Sequence, residues 1–370
     1  MAEAVEVRET GTACGRRLGI ATLAAPAVLN ALSLEMVDAL QTQLTQWAAD
    51  PDVVAVVLDG TGEKAFCAGG DLRDLYQSIR DCGDAPNAYA RQFFSREYRL
   101  DYLIHTYPKP LLCWGNGIVM GGGLGLMAGA SHRIVTERTR IAMPEIGIGL
   151  FPDVGGSWFL NRMPGRIGLF LALTGAPLNA ADALFAGLAD FLLPHDAHDR
   201  MLATMAATRW RGNPAADAVI LSHLLQAAAQ ADPAAPSNLR ACFDDIQALM
   251  GRDGLTEIAS RLEAAAGGDS WIGAAAANFC RGSPTSAVLA FLLLHRARHL
   301  SLREVFQTEF DAAVGCCAHH DFPEGIRALL IDKDRRPRWQ PARLPDVEAS
   351  LVAEHFHPRY AGANPLADLR

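Results

Sequence analysis

The segment of this sequence that decides the fold is Ala65-Phe66-Cys67-Ala68-Gly69-Gly70-Asp71-Leu72. It comes directly after a β-branched apolar run, Val53 to Leu58, and a turn that carries Gly60 and Gly62. A nearly uninterrupted run of this kind is typical of a strand that is buried on both faces. The small residues that follow leave the backbone unshielded, so that another group can approach it closely. The stretch therefore predicts an interior strand that leads into a loop with an accessible backbone.

Two further segments are rich in small residues or carry acids. They are Gly115-Asn116-Gly117-Ile118-Val119-Met120-Gly121-Gly122-Gly123-Leu124-Gly125 and Met143-Pro144-Glu145-Ile146-Gly147-Ile148-Gly149-Leu150-Phe151-Pro152-Asp153-Val154-Gly155-Gly156. Two backbone N–H groups can converge on an oxyanion only where no Cβ obstructs them, and a helix that begins after Gly121 would add its dipole. Glu145 and Asp153 stand among apolar residues, and such surroundings alter carboxyl pKa values in ways that suit acid–base catalysis.

Each of these features also has a purely structural explanation. Glycine clusters commonly mark tight turns or close helix packing, and a glutamate after a proline is commonly a solvated turn residue. The presence of all three segments, in this order, is what favours a functional site.

The flanking sequence predicts a mixed α/β arrangement up to about residue 195. Leu18 to Leu23 predicts a strand, and residues 133–142 predict two short strands around a polar turn. Ser33 is placed to cap a helix that has Glu35 in its first turn. Strands and helices alternate without a regular βαβ rhythm, so an unusual α/β winding is at least as consistent with the sequence as a Rossmann sheet.

Beyond residue 195 the composition of the sequence changes. Alanine and leucine recur there at helical spacing, which favours helices. We therefore expect residues 1–195 to form an α/β core that holds the site, and residues 196–370 to form a mainly helical region that packs on this core.

The three segments together resemble the enoyl-CoA hydratase/isomerase (crotonase) superfamily. The resemblance implies an α/β fold of the ClpP-like type, a spiral of ββα units with a mainly helical C-terminal region. It implies that the backbone N–H groups of Ala68 and Gly122 bind the thioester oxygen. It also implies a coenzyme A groove along the same loops, with the substrate contacted at Gly69, Gly70, Asp71 and Gly121. Coenzyme A is then part of the substrate, and we expect no separate cofactor and no metal.

The departures from the superfamily pattern narrow the function. Its hydratases resemble one another in using two glutamates, whereas the first of these positions is Gly125 here and the second is Glu145. The Pro-Glu and Phe-Pro-Asp of the third segment resemble the 3-hydroxyisobutyryl-CoA hydrolases, which implies that Glu145 and Asp153 are catalytic. Phe93-Phe94-Ser95-Arg96-Glu97-Tyr98 resembles a hydrolase segment whose glutamate contacts the substrate, which points to Glu97.

The expected reaction is hydrolysis of a short 3-hydroxyacyl-CoA, best matched by 3-hydroxyisobutyryl-CoA in valine degradation. Glu145 acts in it either as a nucleophile or as a general base. Two alternatives stay open at this point: a hydratase or isomerase that acts with Glu145 alone, and a coenzyme A-binding protein without catalysis.

Composition sets the remaining expectations. The chain has 370 residues and a formal net charge of -8, which argues against nonspecific nucleic-acid binding. Eight scattered cysteines suit reduced thiols in the cytoplasm. No signal peptide is recognisable, and no stretch approaches the roughly 20 apolar residues of a membrane helix. We expect a cytoplasmic enzyme with an acyl-CoA as its partner, without membrane or nucleic-acid contacts. Assembly into a homo-oligomer stays open.

Three other signals point to chemistry that we do not expect. Gly115 to Gly125 lacks the G-x-G-x-x-G spacing of dinucleotide sites. In Cys316-Cys317-Ala318-His319-His320, only Cys316 with one histidine would share a helix face, too few ligands for a metal. Gly155-Gly156-Ser157 does not form a nucleophile elbow.

Residues 24–30 lack the basic residue that the superfamily commonly carries near coenzyme A.

Overall fold

The structure is a computed structural model that describes residues 4–83, 85–230 and 235–370. Its strands are β1 Val5–Gly11, β2 Arg17–Leu23, β3 Val53–Gly60, β4 Ala65–Cys67, β5 Leu111–Gly115, β6 Ile118–Met120, β7 His132–Val135, β8 Arg140–Ala142 and β9 Phe191–Leu192. Its helices are α1 Leu34–Ala49, α2 Leu72–Cys82, α3 Ala88–His105, α4 Gly122–Ala128, α5 Gly156–Leu160, α6 Ile167–Thr174, α7 Ala180–Ala186, α8 His198–Ala207, α9 Pro214–Ala228, α10 Asn238–Ala241, α11 Phe243–Met250, α12 Leu255–Ala265, α13 Trp271–Arg281, α14 Pro284–Ala297, α15 Leu302–Ala318, α16 Asp321–Ile326 and α17 Ala349–His355.

The strands form two small sheets. One has the order β1-β2-β3-β5-β7-β9 and the other β4-β6-β8. In the larger sheet β1 and β2 are antiparallel, and the other pairings are parallel. The run at residues 53–58 lies inside this sheet as β3, between β2 and β5, and all of these residues are buried, as the sequence predicted.

Helix α1 follows the sequence prediction closely. The Ser33 hydroxyl accepts a hydrogen bond from the N–H of Met36 at 3.2 Å, and Glu35 lies in the first turn. The helix buries its apolar stripe at 3.6-residue spacing, which is the usual reason that a helix of a globular protein is stable. The buried side chains are Met36, Val37, Leu40, Leu44 and Trp47.

The later part of the chain is helical, which confirms the prediction for it. Within the described residues every strand ends by Leu192, and helices and turns make up the rest. The described helices are each too short or too polar to cross a lipid bilayer.

The chain forms two compact units. The first unit comprises Met1–Gly70, Leu100–Ile141 and Leu178–Ser237, and the second comprises Asp71–Arg99, Ala142–Pro177 and Asn238–Arg370. Each unit is therefore built from three separate segments of the chain. A change of amino-acid composition along the chain can mark only a single dividing point, so the predicted division into residues 1–195 and 196–370 stays a prediction.

Asn30 fixes the loop that leads into β4 in the first unit. Its side chain is fully buried, and its backbone has the left-handed φ of 53° that asparagine tolerates better than most residues. The side-chain oxygen accepts a hydrogen bond from the N–H of Ala25 at 2.9 Å. The side-chain amide donates to the carbonyls of Thr61 and Ala65 at 3.0 and 3.1 Å. One side chain thus joins three stretches of backbone.

We expect Asn30→Ala to lower the free energy of unfolding by about 2–4 kcal/mol, because three buried or part-buried backbone groups lose their partner and the left-handed conformation becomes strained. Urea unfolding measures the change. Gln46→Ala, which alters an exposed side chain on α1, is the control and should stay within about 0.5 kcal/mol of the native protein. An Asn30→Ala protein as stable as this control would contradict the assignment.

Candidate active site

Residues 65–70 of the segment Ala65 to Leu72 lie in the first unit, where they form β4 and the loop that follows it. The N–H of Ala68 donates to the carbonyl of Leu29 at 3.0 Å, so this N–H is already used inside the fold and does not match the oxyanion donor that the family resemblance implied. The N–H of Gly70, two residues later, has no acceptor within the described part of the chain. The pattern of small residues alone could not distinguish these two amides.

The second quoted segment, Gly115 to Gly125, approaches the loop at residues 69–70 very closely. A Cβ placed on Gly69 would lie 3.3 Å from the Met120 carbonyl oxygen and 3.8 Å from the Gly122 nitrogen. Gly122 is the first residue of α4, where the N–H groups have no partner inside the helix. Gly121, which precedes it, has a φ of 48°. Residues 69–70 and 121–122 thus form one loop pair in which Gly122 offers an N–H at a helix start.

Asp71 begins the second unit and has a structural role. Its side chain accepts a hydrogen bond from the N–H of Arg73 at 3.0 Å and so caps α2. The capping interaction explains an aspartate at this position without a ligand. Its predicted contact with substrate stays a prediction.

Three predicted acids, Glu97, Glu145 and Asp153, belong to the second unit and are buried there, with exposed fractions of 2%, 4% and 5%. Burial raises the pKa of Glu145 well above its ordinary value, and the charge of Asp153 adds to the rise. Burial also raises the pKa of Glu97, again with a contribution from Asp153. Because the charge of Asp153 raises the pKa of both glutamates, we treat the three buried acids as one group and call it the acid cluster.

Glu145 is held by a turn of 3-10 helix, Glu145–Ile148, that begins directly after Pro144. Its carbonyl accepts hydrogen bonds from the N–H groups of Gly149 and Leu150, which anchors its backbone. In its carboxyl group, the Oε2 atom is buried and has no hydrogen-bond partner within the described residues. A buried polar atom without a partner is uncommon in folded proteins and needs an explanation, of which a catalytic role is one.

Asp153 is held by Tyr98, the neighbour of Glu97 on α3. The Tyr98 hydroxyl donates to Oδ2 of Asp153 at 2.8 Å, and the tyrosine itself is fully buried. Burial raises the pKa of Asp153 to about 6, while the hydrogen bond from Tyr98 acts in the opposite direction. The sequence pattern predicts no role for Tyr98, because nothing in it shows which acid the tyrosine hydroxyl would meet.

The turn after Asp153 is fastened by a further buried acid, Glu309 of α15. Its Oε2 accepts from the N–H of Gly155 at 2.7 Å, and its Oε1 accepts from the N–H of Ser157 at 2.8 Å. A signal for it exists in the sequence, since Glu309 shares the helix face of the buried Val305 and Phe306. An acid on such a face needs a buried partner.

Chemically, the acid cluster can accept a proton or attack a carbonyl. Carboxyl groups with raised pKa values are stronger bases once ionised, which suits general-base or nucleophilic catalysis. In the described residues no group of three histidine, cysteine, aspartate or glutamate side chains could hold a metal ion. His319 stacks on His355, with 4.0 Å between ring centroids.

A cavity of about 220 Å³ lies in the first unit and could hold part of a ligand. It is lined by Pro26, Leu29, Asn30, Thr61, Gly62, Glu63, Lys64 and Ala65. Lys64 brings a positive charge to a wall formed by residues 26–30, the stretch that itself lacks a basic residue.

We expect Asp153→Asn to stabilise the protein at pH 8 but not at pH 4. The folded-state pKa of about 6 lies above the ordinary value of 3.8, so Asp153 favours folding only while it is protonated. The contribution of protonated Asp153 to the free energy of unfolding is complete below pH 3.8 and is lost as the pH rises through 6. The ionised group then costs the fold roughly 2–3 kcal/mol, which asparagine avoids.

Urea unfolding of both proteins at the two pH values measures this difference. Asp217→Asn is the control: Asp217 is equally buried, but its oxygens accept the N–H groups of Arg211 and Gly212 at 2.7 and 3.0 Å. The control should lose stability at both pH values, because an amide cannot accept both bonds. An Asp153→Asn protein that is less stable than the native protein at pH 8 would contradict the pKa assignment.

Comparisons with known proteins show the family and the fold of this chain. A family model described as enoyl-CoA hydratase/isomerase matches residues 18–356. A mitochondrial 3-hydroxyisobutyryl-CoA hydrolase of Danio rerio is 38% identical, over 92% of this chain and 87% of its own length. The protein of the same name from Gallus gallus is also 38% identical, over 92% of this chain and 86% of its own length.

Among solved structures, a carnitinyl-CoA dehydratase from Mycobacterium thermoresistibile is 37% identical. The match covers 96% of this chain and 97% of the dehydratase chain, at a TM-score of 0.84. This similarity shows the α/β crotonase fold that the sequence resemblance implied. The chain is therefore similar to 3-hydroxyisobutyryl-CoA hydrolases, and it belongs to the enoyl-CoA hydratase/isomerase family.

Proposed function

We propose that this protein hydrolyses a short 3-hydroxyacyl-CoA, namely 3-hydroxyisobutyryl-CoA, to 3-hydroxyisobutyrate and coenzyme A. The observation that carries the proposal is the acid cluster, in which Glu145 has a buried carboxyl oxygen without a hydrogen-bond partner. A site that only bound coenzyme A would gain nothing from buried acids with raised pKa values, since these lower stability. The names of the similar hydrolases support the choice of substrate.

In the proposed reaction two backbone N–H groups stabilise the thioester oxyanion. Gly122 keeps the role that the resemblance implies, and Gly70 replaces Ala68, because the Ala68 N–H is bonded to Leu29. Loss of one such donor costs about 2.7–4 kcal/mol of transition-state stabilisation in other acyl-transfer enzymes. Lys64 is suited to bind a coenzyme A phosphate at the cavity that it lines.

Glu145 performs the central step. As a nucleophile it forms a bond to the thioester carbon and expels coenzyme A as a thiolate, and water then cleaves the resulting anhydride. As a general base it removes a proton from water while that water attacks the same carbon. Asp153, held by Tyr98, and Glu97 bind the 3-hydroxyl group or orient the water and Glu145.

Hydration of an enoyl-CoA is the second candidate, favoured by the name of the similar dehydratase structure. The residue at position 125 weighs against it, because glycine there supplies no second acid for the addition of water. Release of free thiol from a panel of acyl-CoA esters separates the two reactions, since a hydratase leaves the thioester intact. Absence of thiol release from every ester would refute the hydrolase assignment.

Several further properties belong to the same proposal. The reaction fits valine degradation, and it requires no cofactor beyond the coenzyme A of its substrate. The eight cysteines, all within the described residues, form no disulfide, which fits a reducing compartment. We assign the protein to the cytoplasm, although the similar hydrolases are mitochondrial. Cell fractionation tests the location, and sedimentation tests for a homo-oligomer.

We expect Glu145→Gln to lower kcat by at least ~10²-fold, because the amide keeps the shape of the side chain but can neither attack nor accept a proton. Steady-state thiol release measures this, and titration of coenzyme A should show unchanged binding. Glu35→Gln, which alters an exposed glutamate on α1, is the matched control. Turnover by Glu145→Gln at the native rate would remove the central residue of the proposal.

Single turnover in ¹⁸O-labelled water then separates the two roles of Glu145. Attack of water on a Glu145 anhydride can leave the heavy oxygen in the protein, whereas a general base places it only in the released acid.

We also expect the enzyme to discriminate strongly against the substrate without its hydroxyl group. Isobutyryl-CoA would leave a buried carboxylate of Asp153 or Glu97 without its partner, and such sites reject the deoxy analogue by up to ~10⁴-fold. The ratio of kcat/KM for the two esters measures this. Equal values would mean that neither acid binds the hydroxyl group.

A further inference from the structure

The turn from Asp153 to Ser157 has an unusual backbone. Val154 has a φ of 54° and Gly155 a φ of 81°, and a β-branched residue in the left-handed region is strained. The N–H of Gly156 donates to the carbonyl of Asp153 at 2.7 Å, which closes the turn. Such a conformation persists only where the surrounding structure imposes it.

Glu309 supplies that constraint from a different helix. Each of its two carboxyl oxygens accepts one backbone N–H of the turn, from Gly155 and from Ser157, at 2.7 and 2.8 Å. The side chain is fully buried, and no lysine, arginine or histidine pairs with it among the described residues. Its hydrogen bonds to the turn are therefore its main stabilising contacts.

Asp153 thus has two anchors. Tyr98 holds its carboxyl group through the 2.8 Å hydrogen bond, and Glu309 holds the backbone immediately after it. A side chain can be aimed precisely only if its own backbone is fixed, and catalytic groups must be held within about 0.5 Å of the productive geometry.

We propose that Glu309 is a positioning residue for the hydrolysis reaction, which acts by holding the Val154–Gly155 turn and thereby the carboxyl group of Asp153. It does not touch the substrate. The proposal rests on the proposed function for its catalytic consequence, while its structural part can be tested without any activity.

Hydrogen exchange tests the structural part. Gln at position 309 offers one carboxamide oxygen instead of two acceptor oxygens, so at least one of the amides of Gly155 and Ser157 loses its partner. In Glu309→Gln we expect the amides of residues 153–157 to exchange at least ~10-fold faster than in the native protein. Asp217→Asn, which removes a similar buried carboxylate that accepts two N–H groups elsewhere, should leave these amides unchanged. Unchanged exchange in Glu309→Gln would overturn the proposal, whether or not the protein is a hydrolase.

A double-mutant cycle tests the catalytic part. We expect Glu309→Gln to lower kcat ~10- to 10²-fold with little change in KM, as small misplacements of catalytic groups do. If Glu309 acts through Asp153, the same substitution in an Asp153→Asn background lowers kcat by less than about threefold, because the group to be positioned is already lost. A generally weakened fold would instead give losses that multiply.

Glu309→Asp provides a second route if the glutamine variant is not recovered in folded form. It keeps both acceptor oxygens but is one methylene group shorter, so it should give the same non-additive pattern with a smaller loss of kcat. Multiplying losses with Asp153→Asn, or an unchanged kcat in both variants, would overturn the proposal. A native protein that releases no thiol refutes the proposed function instead, and hydrogen exchange then decides whether Glu309 holds the turn.

Discussion

Burial of carboxyl groups away from water is the constraint on which the second unit depends. An ionised carboxylate in an apolar interior is costly unless hydrogen bonds or opposite charges compensate it. Within the described residues no cation pairs with Glu145, Asp153 or Glu309, and compensation comes from the Tyr98 hydroxyl and from two backbone N–H groups. The residual cost appears as raised pKa values. Proteins commonly sacrifice stability in this way where a reactive group is needed.

The first unit depends on a different constraint, the close approach of backbone segments. A Cβ on Gly123 would lie 2.4 Å from the Cys67 carbonyl oxygen, and one on Gly117 would lie 2.3 Å from that of Lys64. Both distances are impossible for a side-chain carbon, so only glycine lets the second glycine segment pack on the residues around β4. The glycines thus serve packing first, and the N–H of Gly122, which has no partner inside the helix, follows from the helix start that this packing creates.

The sequence predicts features that depend on neighbouring residues in the chain, but not those that depend on tertiary packing. Apolar periodicity gave the strand β3 and the helix α1 with its Ser33 cap, because each depends on residues that are neighbours in the chain. The oxyanion donor at Ala68 did not match the structure, since the acceptor of its N–H at Leu29 is set by tertiary packing. The role of Glu309 could not be predicted for the same reason: its partners are about 150 residues away in the chain.

The end of the chain contacts both α3, which carries Tyr98, and α15, which carries Glu309, and so gives the two helices a common support. Arg99, next to Tyr98 on α3, forms a bidentate pair with Asp368 at 2.7 and 3.0 Å. Gln307, two residues before Glu309 on α15, donates to the carbonyl of Leu366 at 3.0 Å. Exposed ion pairs contribute little by themselves, but Leu366 is fully buried, which holds this segment in place. The positions of Tyr98 and Glu309 therefore depend on residues about 60 to 270 positions further along the chain, which is why a local sequence pattern identifies the acids but not the groups that aim them.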